Sequence, residues 1–308
     1  MRVLLTGASS FTGFWFARRL AEAGHEVVAP LPRAEAAYTD GVRAARVRAL
    51  APFARVVWEA PFGSEAFLAL ARGSAFDVLA HHAAVVGNYR SPDYDMLGAV
   101  AQNTHRLAEV LAALRERGLR GVVATGSVFE HDEGVGEPPL RAFSAYGLSK
   151  GLTAQVMRFH CEALGLPLLK FVLPNPFGPF EEPRFCHYLV QTWRKGEVAE
   201  VRTPDYVRDN LPVTLAADRY AAAVAAVTTQ QGFARVSPSG FVESQGAFAE
   251  RVARELGPRL GLQAQVRLLP QTDFSEPVMR VNTQSVLAGL DQLVMSRFWD
   301  DYAAHYRN

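Results

Sequence analysis

Tyr146-Gly147-Leu148-Ser149-Lys150 sets a phenol and an ammonium four residues apart, and on a helix that spacing puts both on one face. A lysine charge beside a phenol stabilises the phenolate, so such a pair can exchange a proton near neutral pH while a hydride moves. The spacing is a common accident by itself and gains weight from its company. Thr6-Gly7-Ala8-Ser9-Ser10-Phe11-Thr12-Gly13 lies between a short apolar run and a helical stretch. Gly7 permits a tight turn, small Ser9 and Ser10 let the backbone approach a pyrophosphate, and Gly13 lets the helix come close to a sheet. The helix N-terminus then offers free N–H groups and the positive end of its dipole. Gly7, Ser9, Ser10, Phe11, Thr12 and Gly13 are therefore candidate dinucleotide contacts, against the alternative of an ordinary strand-to-helix turn. The end of the second strand separates NAD from NADP through an acid or a base. It reads Ala29-Pro30-Leu31-Pro32-Arg33, with no acid and one arginine. Arg33 thus favours NADP(H), with NAD(H) possible, and a solvated surface arginine is nearly as good an explanation of it.

These residues need elements to hold them. Arg2–Thr6 and residues 25–29, 56–58, 77–82, 121–125 and 167–173 read as short strands. Residues 14–23, 66–71, 95–117 (one long helix closed by Gly118) and 146–164 read as helices. Strands alternating with helices call for an α/β fold with a doubly wound parallel sheet. From Pro174 onwards, Pro174, Pro176, Pro179 and Pro183 interrupt regular structure, which suits a smaller substrate-covering lobe. Residues 218–229 read as a helix returning to the main domain, 265–269 as a strand and 286–293 as a helix. The expected division is a dinucleotide-binding domain over 1–173 plus about 210–232, and a substrate lobe over 174–209 and 233–308.

The 308 residues, 49% of them apolar, can bury a full core with a lobe besides. A formal net charge of +1 argues against a general nucleic-acid binder. No apolar run approaches the roughly 18 residues of a spanning helix, so no membrane partner is expected. Thr6, Ser9 and Ser10 interrupt the first apolar stretch, which reads as strand and turn rather than as a leader. Cys161 and Cys186 have neither CxxC nor zinc-ligand spacing, so no disulfide framework is implied and a reduced, cytoplasmic setting is expected. Adjacent His81 and His82 would face opposite sides of a strand, and no metal is expected.

Further stretches carry a family likeness. Asp77-Val78-Leu79-Ala80-His81-His82-Ala83-Ala84 is similar to a D-V-V-x-H-L-A-A pattern, and Thr125-Gly126-Ser127-Val128-Phe129 to S-S-x-x-V-Y. Asn175-Pro176-Phe177-Gly178-Pro179 is similar to N-V-Y-G-P, and Tyr206-Val207-Arg208-Asp209-Asn210 to an R-D-F/Y stretch. With the glycine loop (Ser10 standing at the middle glycine of GxxGxxG) and the Tyr146–Lys150 pair, the chain resembles the extended short-chain dehydrogenase/reductase superfamily. The likeness is strongest to its NAD(P)-dependent epimerase/dehydratase branch acting on nucleotide sugars, and covers almost the whole chain. It implies a Rossmann-type domain with a smaller C-terminal lobe, and a cofactor lined by the backbone of His82, Ala83 and Ala84 together with Tyr146 and Lys150. It implies that Thr125 hydrogen-bonds the reacting sugar oxygen and that Asn175 and Arg208 meet the substrate diphosphate. A guanidinium suits phosphate through bidentate bonds, whereas the bland alternative for Arg208 is a salt bridge to Asp209 or a neighbour. Ser127 falls where dehydratases and some epimerases carry an extra acid, base or thiol. Serine has no charged form near pH 7, so it reads as a small residue beside the substrate.

The departures point to a divergent branch. Aligning the helix pattern N-V-x-G-T on Thr104 leaves Val100 at the asparagine and Asn103 at the glycine, and Asn103 reads as a helix-surface residue. Pro174 precedes the N-P-F-G-P stretch, and Glu59-Ala60-Pro61 lacks the acid usual after the third strand. Within the family a 4-keto sugar-nucleotide reductase needs only Thr125, Tyr146 as proton donor, Lys150 and NAD(P)H. A 4-epimerase needs the same groups and room for the sugar to turn over, and a dehydratase needs an acid/base pair that Ser127 does not supply. The missing ribose acid favours NADPH and hence net reduction of a 4-keto (deoxy)sugar nucleotide, with an NAD-dependent 4-epimerase as the alternative. A non-catalytic dinucleotide sensor is the alternative of another class, and retention of Tyr146 and Lys150 counts against it. The resemblance also implies a homodimer packed through the helices at 95–117 and 146–164.

Overall fold

A computed structural model describes residues 1–88, 91 and 93–307. The chain opens with β1 (Arg2–Thr6), α1 (Phe11–Glu22), β2 (Glu26–Pro30), α2 (Gly41–Leu50), β3 (Arg55–Val57) and α3 (Glu65–Gly73). Then come β4 (Val78–His81), α4 (Met96–Asn103), α5 (Leu107–Glu116), β5 (Gly121–Ser127), β6 (Val135–Gly136), α6 (Ala145–Ala163) and β7 (Leu168–Leu173). β8 (Asn175–Phe177), α7 (Phe185–Arg194), β9 (Ala199–Val201), β10 (Val207–Pro212), α8 (Val213–Ala226) and β11 (Phe233–Val236) follow. The last stretch holds β12 (Pro238–Ser239), β13 (Phe241–Ser244), α9 (Gln245–Leu260), β14 (Val266–Leu268), β15 (Met279–Val281), β16 (Gln284–Ser285) and α10 (Gln292–Arg307).

Two compact units result. The first comprises Met1–Glu133, Arg141–Leu173 and Ala217–Val236, and the second Gly134–Leu140, Pro174–Ala216 and Ser237–Asn308. Their boundary runs through α8, so residues 210–216 lie in the second unit and 233–236 in the first.

The first unit is a seven-stranded parallel sheet in the order β11-β7-β5-β4-β1-β2-β3. Parallel strands buried on both faces read as continuous apolar runs, and β1, β4 and β5 are of that kind. Leu4, Leu79 and Val122 are fully buried and pack with Phe67, Leu111 and Leu114 from the helical layer and with Phe76 from the loop before β4. Strand order reverses between β1 and β4, and the crevice beyond the carboxyl ends of such a pair is where this architecture binds ligands. The helices that face this edge start on capping side chains. Ser10 Oγ accepts from Gly13 N at 3.1 Å, Asp95 Oδ1 from Gly98 N at 2.9 Å and Ser144 Oγ from Gly147 N at 3.3 Å.

The second unit builds its own sheet, in the order β13-β10-β15-β6 with β8 beside β10. Its separate core gathers Phe177, Trp193, Phe248, Phe298 and Trp299. Among the described residues no helix is long and apolar enough to cross a membrane.

Two sequence expectations need correction, and one helix of the first unit was missed. The long helix over 95–117 is two helices, because Arg106 adopts a left-handed conformation at φ 50° and breaks the ladder. Thr104 contributes by turning its hydroxyl back onto Val100 O at 2.8 Å, a bond that competes with helix continuation. Of residues 286–293, only the last two are helical. Val286 N donates to Ser239 O at 2.9 Å beside the β12–β16 pairing, Gly289 turns the chain at φ 73°, and α10 starts only at Gln292. Finally, α2 has no counterpart in the sequence reading, since its buried face includes a charged residue, Arg46.

Candidate active site

The loop after β1 is built on two glycines that tolerate no side chain. Gly7 has φ +77°, and a Cβ there would lie 2.8 Å from Ala83 N. A Cβ on Gly13 would lie 2.1 Å from Gly7 O, so α1 can start this close only at glycine. Ser10 braces the turn, its Oγ donating to Gly7 O at 2.8 Å. Phe11 opens α1, and Ser9 is held from outside by Arg46, whose Nε donates to the Ser9 carbonyl at 3.1 Å while its side chain is fully buried. Arg46 was missed in the sequence because an arginine on a helix reads as a solvated face. If the loop seats a dinucleotide as its sequence predicts, Gly13→Ala is expected to weaken dinucleotide binding at least about tenfold, corresponding to about 1.4 kcal/mol. Isothermal titration checks this, and unchanged affinity would contradict the role of the loop.

The crossover between β1 and β4 is pinned by one side chain. Thr6 Oγ1 accepts from both His82 N and Ala83 N at 3.0 Å. His82, Ala83 and Ala84 are half-buried in the segment that leaves β4. The His82 ring reaches further than its backbone, with Nε2 lying 2.9 Å from Thr12 Oγ1 and 3.1 Å from Ser10 Oγ. On its other side Nδ1 lies 3.0 Å from Thr125 Oγ1. Phe16 meets the imidazole edge-on at 5.0 Å and stacks on Tyr220 at 3.8 Å. Burial, reinforced by the Lys150 charge, pushes His81 and His82 down to about 3, so both rings are neutral. Among the described residues no group of three or more His, Cys, Asp or Glu could hold a metal ion.

The Ser144 cap places Tyr146 in the first turn of α6 and Lys150 one turn on, as the spacing predicts. Lys150 is buried, and its Nζ donates to the Thr125 carbonyl at 2.6 Å. Burial pushes this lysine down to about 8, opposed by the Glu130 carboxylate, so it remains an ammonium at neutral pH. Tyr146 is half-buried, with Tyr94 edge-on to its ring at 6.1 Å. Thr125 is buried at the carboxyl end of β5, its hydroxyl donating to Tyr220 Oη at 3.5 Å. The structure therefore joins Ser10, Thr12, His82, Thr125 and Lys150 by direct contacts, with Tyr146 on the same helix face as Lys150.

Asn103 is not a surface residue. It is buried, its Oδ1 accepts from Val85 N at 2.8 Å, and its Nδ2 donates to Thr153 Oγ1 at 3.3 Å. It thus ties α4 to the segment after β4 and to α6, the helix of Tyr146. Ser127 accepts from Phe129 N at 3.2 Å, while its own N–H donates to Glu130 Oε1 at 2.6 Å. Beneath it lies a buried ion cluster: Lys170 Nζ is 2.5 Å from Glu130 Oε2 and 2.6 Å from Glu133 Oε1. Arg33 lies exposed past the end of β2, its carbonyl accepting from Glu59 N at 3.2 Å.

In the second unit, Asn175 begins β8 and pairs in register with Asn210. Arg208 is buried in β10, and Tyr206 lies under its guanidinium at 4.5 Å. It donates to Glu276 at 2.9 Å and to the carbonyls of Val207, Pro277 and Val278. Its carboxylate partner is Glu276 rather than Asp209. Adjacent strand residues face opposite ways, and Asp209 accepts from Gly240 N at 2.7 Å and Asn282 N at 3.1 Å. Arg280 stands across from Arg208 on β15 and is buried as well.

A buried ammonium, a hydroxyl and a phenol next to a dinucleotide-type loop can move a proton on and off a carbinol oxygen while its carbon exchanges a hydride. The sequence profile described as the NAD dependent epimerase/dehydratase family matches residues 3–232. Comparison with curated protein sequences gives no match. Among solved structures, a mutant UDP-glucuronic acid 4-epimerase from Bacillus cereus, in complex with UDP-4-deoxy-4-fluoro-glucuronic acid and NAD, is similar at TM-score 0.75 and 16% identity. That likeness covers 100% of this chain and 99% of that one. A UDP-glucose-4-epimerase from Stenotrophomonas maltophila, with bound NAD and formylated UDP-arabinopyranose, is similar at 0.74 and 18% over the same shares, 100% and 99%. The UDP-glucose 4-epimerase of Thermus thermophilus in complex with NAD is similar at 0.69 and 18%, again over 100% and 99%. At these identities the likeness establishes the fold.

Proposed function

The chain belongs to the NAD dependent epimerase/dehydratase family, and on that premise we propose that it is an NAD(H)-dependent enzyme interconverting nucleotide sugars epimeric at C4. The observation that carries this reading is the contact of Lys150 Nζ with the Thr125 carbonyl at 2.6 Å, with Tyr146 one turn back on the same helix. Gly7, Ser10, Gly13 and the N-terminus of α1 would hold NAD, which would supply a hydride acceptor and later a donor. Tyr146 as phenolate takes the proton of the sugar hydroxyl and afterwards returns it. Lys150 holds the positive charge that keeps that phenolate accessible. Thr125 orients the reacting oxygen by a hydrogen bond. Ser127 adds no acid or base, which speaks against dehydration.

The reductase reading uses the same side chains and differs only in its reductant. Its support was Arg33 as a sign of NADP(H). The family description and the NAD in the similar structures favour NAD(H) instead, and with NAD(H) the argument for net reduction loses its premise. The test offers UDP-glucose and UDP-glucuronic acid with NAD+, and separately a 4-keto-6-deoxy sugar nucleotide with NADPH. Formation of a 4-epimer in the first arm supports the proposal. NADPH consumption in the second with no epimer in the first would replace it with the reductase.

We read the enzyme as a homodimer formed through α4 and α6. Leu148, Leu152 and Phe159 are exposed along one face of α6, and Leu97 is exposed on α4. Such an apolar stripe on a helical surface calls for a partner. The pair of substitutions Leu152→Glu and Phe159→Asp is expected to halve the mass in sedimentation velocity, and a monomeric wild-type protein would refute the dimer.

A further inference from the structure

His82 stands where the D-V-V-x-H-L-A-A pattern has an apolar leucine, and its imidazole spans two elements that the reaction uses. Nε2 faces Thr12 Oγ1 at 2.9 Å and Ser10 Oγ at 3.1 Å on the glycine loop, and Nδ1 faces Thr125 Oγ1 at 3.0 Å. The ring is neutral, held far below its ordinary range by burial, so one nitrogen carries a proton and the other is bare. Which one is settled by the hydroxyls around it. Ser10 already gives its proton to Gly7 O at 2.8 Å and accepts from Gly13 N at 3.1 Å. Among the described residues, buried Thr12 has its side-chain hydrogen bond to Nε2 alone. A proton on Nε2 would strand the Thr12 hydroxyl proton in the interior, at a cost of about 1–3 kcal/mol. A bare Nε2 accepts it and strands no donor. The ring proton is then on Nδ1 and points at Thr125 Oγ1, which leaves the Thr125 proton free to turn elsewhere. In the resting protein that direction is Tyr220 Oη at 3.5 Å.

We propose that His82 is a positioning residue whose Nδ1–H donates to Thr125, so that the Thr125 proton is free to turn from Tyr220 Oη to the oxygen of the bound sugar. The hydrogen bonds run in one direction, from Thr12 O–H to Nε2, from Nδ1–H to Thr125 Oγ1, from Thr125 O–H to the sugar oxygen, and from the sugar O–H to Tyr146. No proton leaves His82 in this scheme. The ring fixes the polarity of Thr125 and links it to the loop that seats the dinucleotide. The proposal rests on the reading that Thr125 faces the substrate.

The tautomer is read on the ligand-free protein by two-bond 15N–1H correlation, with the His82 signals assigned through His82→Asn. A protonated Nδ1 is expected, and Thr12→Val is expected to shift the proton to Nε2. The kinetic arm measures UDP-glucose turnover at saturating NAD+. His82→Leu, which keeps an apolar filling but donates nothing to Thr125, is expected to lower kcat about tenfold, the equivalent of one hydrogen bond of about 1.4 kcal/mol. His82→Asn carries an amide N–H near the place of Nδ1 and is expected to recover most of that loss. A protonated Nε2 in the wild type, or a His82→Leu enzyme as fast as wild type, overturns the assignment. The tautomer needs no substrate, so failure to turn over UDP-glucose would count against the substrate reading and not against the tautomer.

Discussion

Replacing Tyr146 with Phe is expected to lower kcat by about 10³-fold while leaving NAD+ affinity within about twofold of wild type, the range lost with a general acid–base group. The substitution removes one hydroxyl and keeps the ring, whose edge contact with Tyr94 at 6.1 Å is unaffected. Lys150 stays anchored to the Thr125 carbonyl, and the cofactor loop is shaped by Gly7, Ser10 and Gly13, none of which depends on the phenol. The loss should therefore appear in kcat and not in binding. Steady-state kinetics with isothermal titration of NAD+ separates the two. A Phe variant that turns over at the wild-type rate would place proton transfer on another group.

Lys170→Met should be the most destabilising single change in the first unit. Glu130, Glu133 and Lys170 are all buried, and the lysine lies within 2.6 Å of both carboxylates. Arg235 reaches Glu133 at 3.4 Å from a half-exposed position and cannot replace the lysine at Glu130. Removing one partner of a buried ion cluster leaves charge in the interior and costs about 3–5 kcal/mol. The effect should reach the site, because Glu130 also accepts the Ser127 N–H at 2.6 Å and so shapes the turn after β5. Adding Glu130→Gln and Glu133→Gln to Lys170→Met should restore part of the stability, since no net charge is then left unpaired. Urea titration of the three proteins checks this, and an unchanged midpoint for Lys170→Met would contradict it.

The parts of this site that read directly from the sequence are those with a local physical cause. Gly7 and Gly13 are dictated by close backbone approaches, and the Tyr146–Lys150 spacing by helix periodicity, so loop and pair were legible together with the alternation that builds the sheet. What was not legible depends on contacts distant in sequence. Arg46, Glu130, Glu133 and Lys170 look like solvated charges until the fold buries them against distant partners, Lys170 lying 40 residues from Glu130 and Arg46 37 from Ser9. Asn103 was misread for the same reason, its partners being Val85 and Thr153. The break at residues 104–106 carries neither Gly nor Pro, and nothing in Thr104-His105-Arg106 announces a left-handed residue. Arg208 could be assigned an ion pair but not its partner, because Glu276 is 68 residues downstream. The direction of the chemistry was illegible for a different reason, since reductase and epimerase use the same hydroxyl, phenol and ammonium.

The central claim is that a hydride leaves C4 of a nucleotide sugar and returns to the same carbon from the other side. UDP-glucose deuterated at C4, incubated with the protein and NAD+ and followed by NMR, tests it most directly. The account predicts appearance of the 4-epimer with the deuterium still on C4. Recovery of unchanged sugar nucleotide while a 4-keto substrate consumes NADPH, or an epimer that has lost its deuterium to solvent, would contradict it.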